Sequence, residues 1–245
     1  MMNVIKPNCR LQFTGEDLDF IVRVLGKKAP NPQTLLKLLA DEDTRDLILD
    51  DEALVRAVLE HPHCLRISQH FYFYILVRHV FCRAGLAERI LADYVSAVLS
   101  EFSHIEHTQC RAPGQSKPLE YFVDMLAALQ QADDATSFYL RAHIGNYSLF
   151  MSGVFPDRVR FRAERRGAPG LKYYEELGSI NYRVASDHRL AHKYDLTDIF
   201  GTLSERFQTT RLALNDLGER LLSINNDMDS RIEAVLKHSL DVGLQ

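Results

Sequence analysis

Along most of this chain, apolar residues recur every three to four positions, the period of a helix that buries one face. Leu18, Ile21, Val22 and Leu25 form the first such stripe. Thr14 precedes it as an N-cap, Glu16 and Asp17 fill its first turn, and Gly26 ends it. "NPQTLLKLLA" starts a second helix with Pro32 near its first turn. "DEDTRDLILDDEALVRAVLEH" gives one or two short helices stopped by Pro62, and Gly85 closes the helix after that. "AERILADYVSAVLSEF" is amphipathic through Ile90, Tyr94, Ala97, Val98 and Phe102. Residues 111–120, "RAPGQSKPLE", are the clearest loop. Helices resume over 119–130 and 133–150. "FPDRVRFRAERRGAPG" then reads as a second irregular stretch, before a long helix over about 171–192.

Residues 71–77, "FYFYILV", are all strong strand formers. They are assigned to a helix because the apolar character resumes in "VFC" beyond Arg78 and His79, and because no partner strand is visible. Near the C-terminus Leu196, Phe200, Leu203, Phe207, Thr210, Leu214, Leu217, Leu221 and Ile224 alternate in steps of four and three. That 3.5-residue period marks helices packed along a seam. It suits a dimerising coiled coil, or a long helix docked on its own domain; Leu212 and Leu222 widen the stripe toward the second. The expected fold is all-α: a multi-helix globular bundle with a long C-terminal helix. It forms one domain over 1–245, in which 1–62 can stand as a small helical subdomain.

Composition narrows the class. At 245 residues and 46% hydrophobic, the chain can bury a sizeable core without a disulfide or metal staple. Cys9, Cys64, Cys82 and Cys110 form no CxxC pair, which fits a reducing cytoplasmic setting. The N-terminus has no apolar signal region, and the run 71–77 is too short to span a bilayer. A net charge of −4 does not favour nucleic acid as a partner.

The charge is unevenly spread. Residues 41–52 hold seven acids and one arginine, net −6; residues 156–172 hold six basic residues and two acids, net +4. Arg158, Arg160, Arg162, Arg165 and Arg166 make the basic run an arginine-rich loop suited to carboxylates or a phosphate-bearing ligand. The same run could also be neutralised by the acidic run within the fold. This loop is the expected contact surface of a protein that works by binding or assembly, with the C-terminal helix as a second surface for a protein partner or self-association.

Two other chemistries compete with that reading. "RAHIGNYSLFMSGVF" looks made for close packing: Phe138, Ala142, Gly145, Leu149 and Ser152 share a face, yet Arg141, His143 and Asn146 flank it. Together with Arg78 on the aromatic helix, they suggest either an internal anion pocket or a structural polar network. A metal-dependent helical enzyme is the other alternative. Glu101 and His104 form one Glu-x-x-His, with His107 following, and His188, His192 and Asp195 would share a face of an unbroken helix. No second Glu-x-x-His, HExxH, P-loop, GxSxG or GxGxxG accompanies them, so no cofactor is assigned.

Overall fold

The computed structural model describes residues 4–26, 32–60, 66–104, 108–110, 118–119 and 121–224. Local sequence signals explain most of its helix boundaries. A 3₁₀ turn, Arg10–Gln12, precedes α1 (Gly15–Leu25), whose Thr14 N-cap forms a full capping box with Asp17. Three short helices follow: α2 (Pro32–Ala40), α3 (Glu42–Leu49, capped by Asp41) and α4 (Glu52–Glu60). The aromatic segment is helical, as α5 (Gln69–Arg83). The Ser68 hydroxyl accepts the Phe71 N–H at its start, and Gly85 takes a left-handed φ of 71° just beyond its end. Next come α6 (Arg89–Phe102), α7 (Phe122–Gln130) and the 21-residue α8 (Asp134–Val154). Among the described residues the only β feature is one bridge, Cys110 to Leu119.

Helix α6 is more deeply placed than an amphipathic pattern implies. Every residue from 91 to 100 is buried, including Asp93, Ser96 and Ser100. Its polar face is covered by the N-terminal segment, whose Arg10 N–H donates to Asp93 Oδ1 at 2.8 Å. Helix α5 packs along α6.

Three expected elements differ. The stretch after Phe155 is a helix, α9 (Pro156–Arg166), so the arginine-rich segment is not a loop. Pro156 begins it without wasting an N–H, Asp157 and Arg165/Arg166 sit at the ends that the helix dipole favours, and Gly167 terminates it at φ 63°. The helix expected over 171–192 ends early, as α10 (Leu171–Ser186). His188 then caps a separate short helix, α11 (Arg189–Lys193), with its own imidazole accepting the Leu190 N–H. The C-terminal seam breaks at Arg206 into α12 (Thr197–Glu205) and α13 (Phe207–Ile224).

The seam residues Leu196, Phe200, Leu203, Phe207, Thr210, Leu214 and Leu217 are all buried within the chain itself. The side chains of Leu221, Leu222 and Ile224 lie outside the described residues. Helix α8 is flanked by α10 and α13, α12 lies on α10, and α13 also reaches α5. One continuous cluster of buried apolar side chains runs from Val4 to Leu217. Cys9, Cys82 and Cys110 are free thiols. No described helix is long and apolar enough to cross a membrane.

Candidate functional site

The acidic run has partners, and they are not the arginines of α9. Asp46 takes both oxygens to Arg10 Nη1, at 2.7 and 2.8 Å, with Arg89 Nε at 3.5 Å. Asp50 binds Arg78 through Nε at 2.8 Å and Nη2 at 3.0 Å, and Arg89 Nη2 at 3.1 Å. Arg78 spends its remaining reach on the Ala87 carbonyl at 2.6 Å. It lines a surface groove of about 370 Å³ with Leu49, Asp50, His79 and Cys82, but its charge is already met there.

The polar groups of α8 diverge. Asn146 is buried, and its Oδ1 accepts from two fully buried phenols, Tyr94 at 2.8 Å and Tyr182 at 2.7 Å. His143 Nε2 lies 3.2 Å from the Thr108 carbonyl, and burial pushes its pKa down to about 4. Half-buried Arg141 donates to Asn181 Oδ1 at 3.2 Å. Arg78 and Arg141 engage separate neighbours, Arg78 the Asp50 carboxylate and the Ala87 carbonyl, Arg141 the Asn181 side chain. The close helix approach, by contrast, is realised. A Cβ on Gly145 would stand 2.8 Å from the Tyr182 ring.

The histidine–carboxylate set does not assemble either. His188 is engaged at both ring nitrogens, Nε2 at 3.0 Å from Asp134 and Nδ1 at 3.0 Å from the Leu190 N–H. His192 is exposed on α11, and Asp195 lies beyond the end of that helix in a left-handed backbone conformation, φ 57°. Helix ending at Ser186 removes the common face that the spacing implied. Glu101 and His104 are exposed at the end of α6, and His107 lies outside the described residues. Among the described residues no group of three or more His, Cys, Asp or Glu side chains is placed to hold a metal.

What remains is α9. Val159 anchors it in the core, which turns Arg158 and Arg162, one helical turn apart, into a half-buried pair. Arg158 Nη1 and Arg162 Nε are buried without a hydrogen-bond partner. Arg10, Arg45 and Arg89 also leave Nε without a hydrogen bond, yet each of those guanidiniums has a carboxylate within 4 Å. Among the described residues Arg158 and Arg162 have none. Burial, with Arg162 beside it, lowers the pKa of Arg158.

Two tyrosines lie near the pair. Tyr147 from α8 and Tyr174 from α10 lie within electrostatic reach of both arginines. Phe122 at the start of α7 holds both rings edge-on, its centroid 5.3 Å from Tyr147 and 4.9 Å from Tyr174. Burial pushes the Tyr147 phenol up to about 12 and raises Tyr174 as well, so both remain O–H donors at neutral pH. Tyr121 and Tyr173 continue the aromatic surface outward, 46% and 38% exposed. Arg160 is exposed and pairs within its own helix with Asp157 at 2.8 Å, while Arg165 and Arg166 are exposed at its end.

Sequence reasoning singled out the arginines but not the tyrosines that surround two of them. Tyr147 and Tyr174 come from different helices, and only the turn at Phe155 places them beside α9. Comparison with known proteins finds no family model, no curated protein and no solved structure that matches this chain.

Proposed function

We propose that this protein acts by binding, with α9 as the surface that takes a negatively charged partner. One contrast carries the reading. The fold uses Asp46 and Asp50 to neutralise Arg10, Arg78 and Arg89, and among the described residues gives Arg158 and Arg162 no carboxylate. Partly burying an unpaired guanidinium costs stability, and an anion supplied from outside offsets that cost. Arg160, Arg165 and Arg166 extend the same charge into solvent, where they steer and orient rather than anchor.

The test is a titration with fluorescently labelled polyphosphate, followed by anisotropy at low and physiological salt. Despite its net charge of −4, the protein is expected to bind and to weaken steeply with salt. Replacing Arg158, Arg160, Arg162, Arg165 and Arg166 together by Ala should abolish binding, whereas replacing the α2 and α4 surface cations Lys37 and Arg56 should not. Equal binding by the five-fold variant and the parent would overturn the reading.

A further inference from the structure

We propose that Arg158, Arg162, Tyr147 and Tyr174 together form a site for a single compact phosphate group, as the free ion or as a small monoester. This inference rests on α9 being the contact surface. All four side chains can donate, two guanidiniums and two phenols, and only the phenol oxygens can also accept. The Tyr147 and Tyr174 hydroxyls make no hydrogen bond to any described residue and stay protonated at neutral pH, so both can donate to a ligand held by the arginines. A ligand that suits such a set is anionic and rich in acceptor oxygens.

Charge then separates phosphate from carboxylate. Two guanidiniums one turn apart repel each other, and a monoanion relieves only half of that repulsion. A phosphate monoester carries close to two negative charges and three acceptor oxygens at neutral pH. Arginine's planar fork meets such oxygens two at a time.

Burial separates a small ligand from a polymer. Arg158 Nη1 and Arg162 Nε lie below the surface, which favours a compact group over an extended chain. A nucleic-acid backbone or a long polyanion meets the exposed Arg165 and Arg166 first. Among the described residues, no carboxylate lies within 4 Å of either arginine: Glu175 of α10 is committed to Arg211 at 2.6 Å, Asp157 to Arg160 at 2.8 Å, and Glu164 is exposed. The half-exposed Tyr121 and Tyr173 rings border the site and give an ester group an aromatic surface to lie against.

Isothermal titration calorimetry of the full chain with phenyl phosphate, inorganic phosphate and benzoate tests the proposal. Saturable one-to-one binding of a phosphate is expected, with benzoate weaker by about tenfold or more, as one charge-assisted contact is worth. Arg158→Met and Arg162→Met should each weaken phosphate by a similar factor, and Tyr147→Phe by a smaller one. Without ligand, both Met variants should melt at or above the parent temperature, because they remove an unpaired half-buried charge. Phenyl phosphate binding more tightly than the inorganic ion assigns the site to esters; equal affinity assigns it to the free ion.

Both phosphates failing to bind, benzoate binding equally well, or Met variants that melt well below the parent would each overturn the site. If polyphosphate still binds through the five arginines while both small phosphates fail, the surface reading survives and the site alone falls. If the five-arginine variant keeps its polyphosphate, the surface reading falls first.

Discussion

A buried polar side chain has to find its partner locally, and Arg141, His143 and Asn146 find three different ones within six residues of a single helix. Asn146 offers one carbonyl oxygen to two phenols, which fixes Tyr94 and Tyr182 at the centre of the molecule. His143 is the member that titrates. A backbone carbonyl can only accept, so the Nε2 facing Thr108 carries the proton and the ring is neutral in the fold. Its pKa of about 4 lies below the unfolded value near 6.5. The unfolded chain therefore binds the extra proton first, and this contribution to stability is present above about pH 6.5 and is lost as pH falls toward about 4. The loss is at most about 1.4 kcal/mol per pH unit. His143→Gln keeps a donor without the titration, so urea unfolding across that window should show a shallower pH slope than the parent. Matching slopes would mean that the imidazole is not held neutral.

Between helices the decisive feature is where glycine permits contact. Gly178 of α10 sits directly under the Phe207 ring, with Ser148 of α8 on its other side, so an added Cβ overlaps the ring. A Cβ added to Gly201 of α12 would meet no packed neighbour within 4 Å. The same substitution is expected to have opposite signs at the two positions. Gly178→Ala should destabilise by about 1–3 kcal/mol through overpacking. Gly201→Ala should stabilise by up to about 1 kcal/mol through helix propensity alone. Chemical denaturation of the two variants decides it, and equal signs would refute the packing assignment.

Helix starts and stops set by short-range chemistry were legible in the sequence: Thr14 with Asp17, and Gly85. Helix α9 carried the same punctuation in Pro156, Asp157 and Gly167. Its alternation of arginine with Val159 and Phe161 masked the signal, because only Val159 is buried. The seam through Leu217 was legible as packing, but its break at Arg206 was not, since the 3.5-residue period runs unbroken across it. The candidate site was half legible. Its arginines are contiguous in sequence, whereas the tyrosines converge on them only through the turn at Phe155.

At the scale of the molecule, charge is partitioned: the acidic run is spent inside the fold and the basic run is left outside it. Asp50 shows what the inner half contributes. Burial alone would raise its pKa, but Arg78 and Arg89 outweigh that and hold the carboxyl below its ordinary range. Its stabilising effect is thus present above the unfolded value near 3.9 and is lost as pH drops through the folded one. The network also spans parts of the chain far apart in sequence, since Arg10, Asp46, Asp50, Arg78, Arg89 and Asp93 tie the N-terminal segment and α3 to α5 and α6. Residues 1–62 can unfold as a separate subdomain only if those ties are weak. Asp50→Ala removes the partner of Arg78, a side chain only 7% exposed, and should cost about 3 kcal/mol. If the ties bind one cooperative unit, amide exchange should accelerate by the same factor in α3 and in the distant α8, with a single unfolding transition. Acceleration confined to α1–α4, or a second transition, would establish the N-terminal helices as a unit of their own.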